Sequence, residues 1–182
     1  IKERAVLDFY DRIPFWYNEL KKIPLSDSII EIGCSHGGFL KYCRDRGFQQ
    51  CIGIELTEGV CEFARNTFGV EMICADFPNV EVTEKAGIVC AFDVLEHVEN
   101  PLPALRKMVE LGKYVMVQIP FYSGENLKDF PYFDAGVHLY LPSEKAIDKL
   151  FKIAGLEITS KVQGAFIKNL TITGRVKNEG IN

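Results

Sequence analysis

The residues of this chain best suited to chemistry are acids, glycines and histidines that fall just after short apolar runs. Glu31-Ile32-Gly33-Cys34-Ser35-His36-Gly37-Gly38 closes the first such run. Glycine lets the backbone turn sharply and come close to a ligand, and the helix expected from Gly38 offers free N–H groups. Glu55 closes the second run, 22 residues after Gly33, where a carboxylate can accept hydrogen bonds from both hydroxyls of a ribose. Asp76 follows the third run, placed to accept from an exocyclic amine such as that of adenine. Charge-assisted bonds of this kind contribute roughly 1.5–3 kcal/mol each.

The same corner excludes other nucleotide chemistries. It has no Gly-Lys-Ser/Thr, so it is not a triphosphate loop. Gly33 is followed by Cys34-Ser35-His36-Gly37-Gly38 where a dinucleotide fingerprint needs G-x-G-x-x-G. Glu31 would repel a pyrophosphate, but it suits the cationic amino group of a methionine moiety. Three histidines could move a proton. His138 lies in a long aromatic segment where a substrate pocket is expected, and His97 lies where the fourth apolar run passes into a helix. His36 is expected to position backbone.

The elements that must hold these residues alternate between short apolar runs and amphipathic stretches, the pattern of a parallel sheet with crossover helices. Strands are expected at Ser28–Gly33, Cys51–Glu55, Val70–Cys74, Ala86–Phe92 and Tyr114–Ile119. Helices are expected over Gly38–Arg46, from a Thr57 cap to Phe68, over Pro101–Leu111, and from a Ser143 cap to Ala154. Gly47, Gly69 and Gly155 stand where these helices stop. Leu156–Val162 and Ala165–Val176 alternate like a closing hairpin. Residues 1–25 read as a helical lid interrupted by Pro14, and 120–142 as a substrate-side loop. The expectation is one α/β domain over 1–182: a Rossmann-like, seven-stranded, mostly parallel sheet with helices on both faces and a C-terminal antiparallel hairpin.

Composition narrows the function class. The chain has 182 residues, 47% of them hydrophobic and 25% charged, with a net charge of -4, ordinary for a globular domain. Nucleic acid is not an expected partner, since phosphate binding needs a dense Lys/Arg stripe that is missing here. No apolar run approaches the roughly 18 residues of a membrane-spanning helix, and no signal peptide opens the chain. Cys34, Cys43, Cys51, Cys61, Cys74 and Cys90 form no CxxC pair and no metal-ligand spacing with histidine. Free thiols in a reducing cytoplasm, and no metal, are therefore expected.

These residues resemble a known family. IIEIGCSHGGFL is similar to the first motif of class I S-adenosylmethionine (SAM)-dependent methyltransferases. GIEL at Gly53–Leu56, CADF at Cys74–Phe77 and FDVLEHVENP at Phe92–Pro101 resemble the second, third and fourth. His138-Leu139 and the helix Ser143–Leu156 resemble the small-molecule branch that holds ubiquinone-biosynthesis-type, sugar and natural-product O-methyltransferases. The likeness covers roughly residues 28–160. It implies SAM as cofactor and methyl transfer to a small molecule, at a hydroxyl. It also implies that Gly33, Cys34 and Gly37 cradle the methionine end with Glu31 nearby. Glu55 would hold the ribose, Leu56 would pack on adenine, Asp76 and Phe77 would hold the adenine edge, and Phe92 and Asp93 would form the floor near the sulfonium. His138 and His97 are the candidate bases. Two departures from the pattern are His36 in place of a small residue and an unusually short helical region at Pro78–Lys85. A non-catalytic SAM-binding protein is the alternative from another class, and a nicotinamide-dependent oxidoreductase is a weaker enzymatic one.

Overall fold

The computed structural model describes residues 2–24, 27–77, 79–124, 126, 130, 137–166 and 168–177, without the side chains of residues 2, 4 and 5. Two helices, α1 (Lys2–Tyr10) and α2 (Arg12–Leu20), precede β1 (Ser28–Ile32) and α3 (Gly38–Arg44). There follow β2 (Gln50–Glu55), α4 (Glu58–Phe68), β3 (Glu71–Cys74) and β4 (Ala86–Phe92). A 3-10 turn at Leu95–His97 leads to α5 (Pro101–Leu111), β5 (Gly112–Pro120), α6 (Glu144–Ile153), β6 (Leu156–Gln163) and β7 (Asn169–Val176).

The strands form one seven-stranded sheet in the order β3-β2-β1-β4-β5-β7-β6. β1 to β5 run parallel, and β7 pairs antiparallel with both β5 and β6. The expected mixed sheet with a C-terminal antiparallel hairpin is therefore present. Every residue of β4 is buried, as its continuous apolar run requires of a strand covered on both faces. The period-two alternation then sorts side chains between two cores. Val89 and Ala91 of β4 face α5 and α6, together with Ala104, Met108 and Phe151. Ile88, Cys90 and Phe92 face the other way, toward Trp16, Phe39, Cys43 and Cys61 of α2, α3 and α4. All six cysteines are free, as expected.

Strand order reverses between β1 and β4, so their carboxyl ends splay and leave a crevice, the usual ligand position in open α/β sheets. Helix ends follow local chemistry. Ser143 Oγ accepts from Ala146 N at 3.3 Å and Asn100 Oδ1 from Leu102 N at 3.2 Å, each tying down an otherwise orphaned donor.

Several expectations shift. The N-terminal helical stretch breaks at Asp11, not at Pro14. Pro14 sits in the first turn of α2, where the N–H it lacks has no partner to lose. Of the helical region expected at Pro78–Lys85, residues 79–85 are described and form no helix, and Val80 and Val82 pack on the α5 side of the sheet. Helix α3 stops at Arg44 and not Arg46, and β7 starts at Asn169 and not Ala165, after a turn in which Lys168 takes a φ of 66°. Much of the long segment after β5, including Tyr132 and Phe133, lies outside the described residues. Among the described residues, no helix is long and apolar enough to cross a membrane.

Candidate cofactor and acceptor site

The corner after β1 is built by hydrogen bonds to its neighbour strand. Gly33 turns the chain with a φ of 63°, and its N–H donates to the Ile54 carbonyl at 2.8 Å. A β-carbon at Gly33 would come within 2.5 Å of Val94 Cγ2, so a larger residue would have to displace Val94 or the corner. Ser35 also takes a positive φ, 48°, a conformation that costs a non-glycine residue and must be held by its surroundings. Glu55 supplies part of that hold. Its Oε2 accepts from Ser35 N at 3.0 Å and its Oε1 from Thr57 N at 3.1 Å. The acid at the end of β2 is thereby bound to the glycine corner at the end of β1.

Beside this corner lies a cavity of about 320 Å³. Glu31, Gly33, Cys34, Ser35 and His36 line it from β1 and its loop, and Phe92 and Asp93 from the end of β4. Its remaining wall comes from the N-terminal helices: Asp8, Arg12, Ile13 and Trp16. Glu31 is buried, and its Oε2 has no hydrogen-bond partner among the described residues. Burial, helped by the nearby Asp8 and Glu55 charges, raises its carboxyl well above the usual carboxylate range. A cation brought into the cavity would relieve that cost. Burial likewise raises the Cys34 thiol, so it stays a small neutral wall group whose Sγ lies 3.7 Å from Met72 Sδ.

Asp93 is held from three directions. Its Oδ1 accepts from Gln118 Nε2 at 3.0 Å and Asn169 Nδ2 at 2.9 Å, and its Oδ2 meets Arg12 Nη1 at 3.2 Å. These contacts fix a residue with a φ of 55°. Gln118, fully buried in β5, turns its Oε1 to Trp16 Nε1 and Ala165 N, each at 3.0 Å. Trp16 then stacks on Phe92 with ring centroids 4.1 Å apart and planes within 5°. A chain of polar and aromatic contacts therefore links α2, β4, β5 and β7 around one wall. His36 plays the backbone-positioning part expected of it. Its Nδ1 accepts from Gly38 N at 3.0 Å, which leaves Nε2 to donate to Asp8 Oδ2 at 2.9 Å.

Leu56, Asp76 and Phe77 sit along the same sheet edge but outside this cavity. Leu56 is 67% exposed and Phe77 packs against the α5-side core. Asp76 accepts from Asn79 Nδ2 at 3.1 Å. The Ala75 N–H donates to the Glu55 carbonyl at 3.0 Å, which keeps the β3 loop beside the β2 acid. Gly37 shapes the loop without lining the cavity; its φ is 74° and it packs against Val70 and Ala64.

Past the end of β4, the 3-10 turn brings His97 and His138 together with ring centroids 4.9 Å apart. The His97 Nδ1 lies 2.8 Å from the Val137 carbonyl, and Leu139 N donates to the Glu96 carbonyl at 2.9 Å. Tyr140 Oη donates to the Leu95 carbonyl. Glu96, between the two, is 1% exposed, and burial pushes its carboxyl up to about 8. Sequence reasoning missed Glu96, Gln118, Asp8 and Arg12, and took Trp16 as a lid aromatic without seeing the Asp8–Arg12–Trp16 stripe. The stripe does have a signature, since residues 8, 12 and 16 recur at helical spacing on one face.

A parallel sheet with a reversal of strand order, a glycine corner tied to an acid on the next strand and a buried acid facing the crevice define a nucleoside-cofactor α/β enzyme fold. Comparison with known proteins makes this specific. A family described as a methyltransferase domain matches residues 3–161, and the chain belongs to that family. No curated protein matches it. Among solved structures, a chain from the complex of the Haloferax volcanii Trm112 methyltransferase activator with a methyltransferase superposes with a TM-score of 0.82. It shares 13% identity, over 98% of this chain and 95% of that one. A SAM-dependent methyltransferase from Thermotoga maritima gives 0.74 at 18% identity, over 97% and 94%. The magnesium protoporphyrin IX methyltransferase of Synechocystis, solved with S-adenosylhomocysteine (SAH), gives 0.68 at 16% identity, over 82% and 74%.

Proposed function

We propose that the protein transfers the methyl group of SAM to a hydroxyl of a small-molecule acceptor. The observation that carries the cofactor half is the buried Glu31 oxygen, without a hydrogen-bond partner among the described residues, on the cavity beside the Gly33 corner. SAM brings an ammonium group on its methionine end, and Glu31 is the group that would gain most from it. Gly33 and Cys34 cradle that end in this reading, with Gly37 shaping the loop. Glu55 holds the ribose, Leu56, Asp76 and Phe77 hold the adenine, and Phe92 and Asp93 form the floor near the sulfonium. The methyltransferase of Synechocystis named above carries SAH, which supports the same cofactor here.

The acceptor oxygen attacks the methyl carbon in line with the C–S bond. That bond breaks with its electron pair going to sulfur, which leaves neutral SAH and the methyl ether, and the hydroxyl proton goes to the acceptor side of the site. Alignment can supply roughly 7–11 kcal/mol of the barrier. The pair His97 and His138, with ring centroids 4.9 Å apart past the end of β4, is proposed to manage the proton. The aromatic residues of the loop and lid, Phe15, Trp16, Tyr17, Phe121, Tyr122, Phe130 and Tyr140, favour a partly apolar or ring-shaped acceptor over a protein tail.

Titration calorimetry with SAM, SAH and NAD(H) tests the cofactor, with binding expected only for the first two. Binding of NAD(H) alone would overturn it. Labelled methyl transfer from SAM into a small-metabolite extract, read by mass spectrometry, tests the acceptor class. His138→Ala is expected to cut turnover while leaving SAM affinity near that of the parent. SAM binding without methyl transfer to any small molecule would favour a non-catalytic binding protein.

A further inference from the structure

Glu96, His97 and His138 each place one ligating atom in a single group, all within 4.8 Å of one another. Two independent features make this more than proximity. Glu96 is 1% exposed and its Oε2 has no hydrogen-bond partner among the described residues, a costly arrangement for a buried polar oxygen unless a ligand completes it. The His97 ring has Nδ1 2.8 Å from the Val137 carbonyl, an acceptor only. Nδ1 must therefore carry the hydrogen, and Nε2 is left with its lone pair. A backbone carbonyl that fixes the far nitrogen is the usual support of a metal-ligating histidine.

We infer that Glu96, His97 and His138 form a site for one divalent transition-metal cation at the carboxyl end of β4. Two imidazoles and one carboxylate suit zinc, manganese or cobalt better than calcium, which prefers an all-oxygen set. Three ligands among the described residues match the count of catalytic sites, which keep a coordination position open. The ligands come from a turn that follows Asp93 and from a distant loop, so linear spacing of cysteines and histidines, which predicts no metal, does not reveal them. Cation binding itself stands on these three residues alone. Its use rests on the methyl transfer proposed above: the cation would hold the acceptor hydroxyl and favour loss of its proton to solvent, so the two histidines would manage that proton through the ion and not by taking it up themselves.

Metal-free full-length protein titrated with Co²⁺ provides the test, because visible absorption reports coordination and a near-ultraviolet thiolate band would betray cysteine ligands. One equivalent is expected to bind with no thiolate band, and Glu96→Gln and His138→Ala are each expected to weaken binding by about tenfold or more. SAM calorimetry on the same variants establishes that they are folded and is expected to be unchanged. If the parent takes up no Co²⁺ at millimolar concentration, or if both folded variants bind it as the parent does, the site does not exist. Co²⁺ bound as expected by a protein that transfers no methyl group would leave the cation site standing and overturn only the reading of its use.

Discussion

Arg12 on α2 reaches Asp93 at the end of β4, with Nη1 3.2 Å from Oδ2. The same guanidinium pairs with Asp8 Oδ1 through Nε, also at 3.2 Å, and lies 4.5 Å from the centre of the Phe166 ring. One cation therefore joins the N-terminal helices to the carboxyl edge of the sheet and neutralises two acids on the cavity wall. Removing it leaves Asp8 and Asp93 partly buried without their countercharge. Arg12→Met is expected to destabilise the fold by ~2–3 kcal/mol. At about 2–4 °C per kcal/mol for a chain of this size, a thermal melt resolves that loss. A melting temperature within one degree of the parent would mean that the bridge contributes nothing.

Glu55 has two duties in the reading given above, and they separate by substitution. Its carboxylate holds Ser35 N and Thr57 N and is proposed to hold the ribose as well. Glu55→Ala removes both and is expected to weaken SAM affinity about tenfold or more, since each bond to a charged acceptor contributes roughly 1.5–3 kcal/mol. Glu55→Gln keeps one acceptor oxygen for the loop, and an intermediate loss is expected. Calorimetry in which both variants bind SAM as tightly as the parent would remove the ribose assignment.

The acid on β1 gives a pH dependence whose sign is fixed. Burial, then Asp8 and Glu55, raise the Glu31 carboxyl well above its ordinary value. In the window between the unfolded value, roughly 4.3, and the raised one, the folded state holds more protons than the unfolded state. Stability therefore falls as pH rises through that window. Glu31→Gln is expected to flatten this slope and to melt higher than the parent at pH 8, with the gap closing toward pH 4. The same shift predicts that SAM binding releases protons, because the bound ammonium favours the ionised carboxylate. Calorimetry in buffers of different ionisation enthalpy measures that release, and the Gln variant is expected to lose it. Equal proton release in both proteins would exclude Glu31 as the partner of the ammonium.

The sheet was legible in the sequence because its signal is local. β4 is a continuous apolar run covered on both faces, and Gly69 and Gly155 stop helices by taking φ values of 61° and 88°. The Gly33 corner and Glu55 were legible for the same reason, since both fall at strand ends. Arg12 and Asp8 were not. An acid and a base four residues apart on an amphipathic helix look like an ordinary solvated pair, and only the fold reveals that Asp93 faces them. Gln118 was hidden inside a strand whose neighbours are apolar, and its role depends on Trp16 and Asp93, each far away in the chain. The break at Asp11 escaped because proline draws attention in any helix, although its position in the first turn made it harmless. Residues 79–85 were read as a helix from family likeness, but Val80 and Val82 bury against the sheet without one.

Gly53 tests how tightly the β2 strand is packed behind the Gly33 corner. It lies mid-strand, where glycine ordinarily weakens a sheet, so its presence needs a steric cause. A β-carbon there would come within 2.4 Å of Cys34 Sγ, 2.7 Å of Met72 Sδ and 2.9 Å of Leu40 Cδ1. Three side chains from β1's loop, β3 and α3 thus meet over the bare backbone, and Cys34 among them lines the cavity. Gly53→Ala gains strand propensity but must displace at least one of these groups. The net expectation is a loss of ~1–3 kcal/mol, the usual cost of overpacking. Displacing Cys34 would also disturb the corner, so SAM affinity is expected to fall along with stability. The double variant Gly53→Ala with Cys34→Ala removes the closest clash and is expected to recover part of both. If the single variant melts and binds as the parent does, the interior behind the corner is loose enough to absorb a methyl group. Gly53 would then have no steric reason to be glycine.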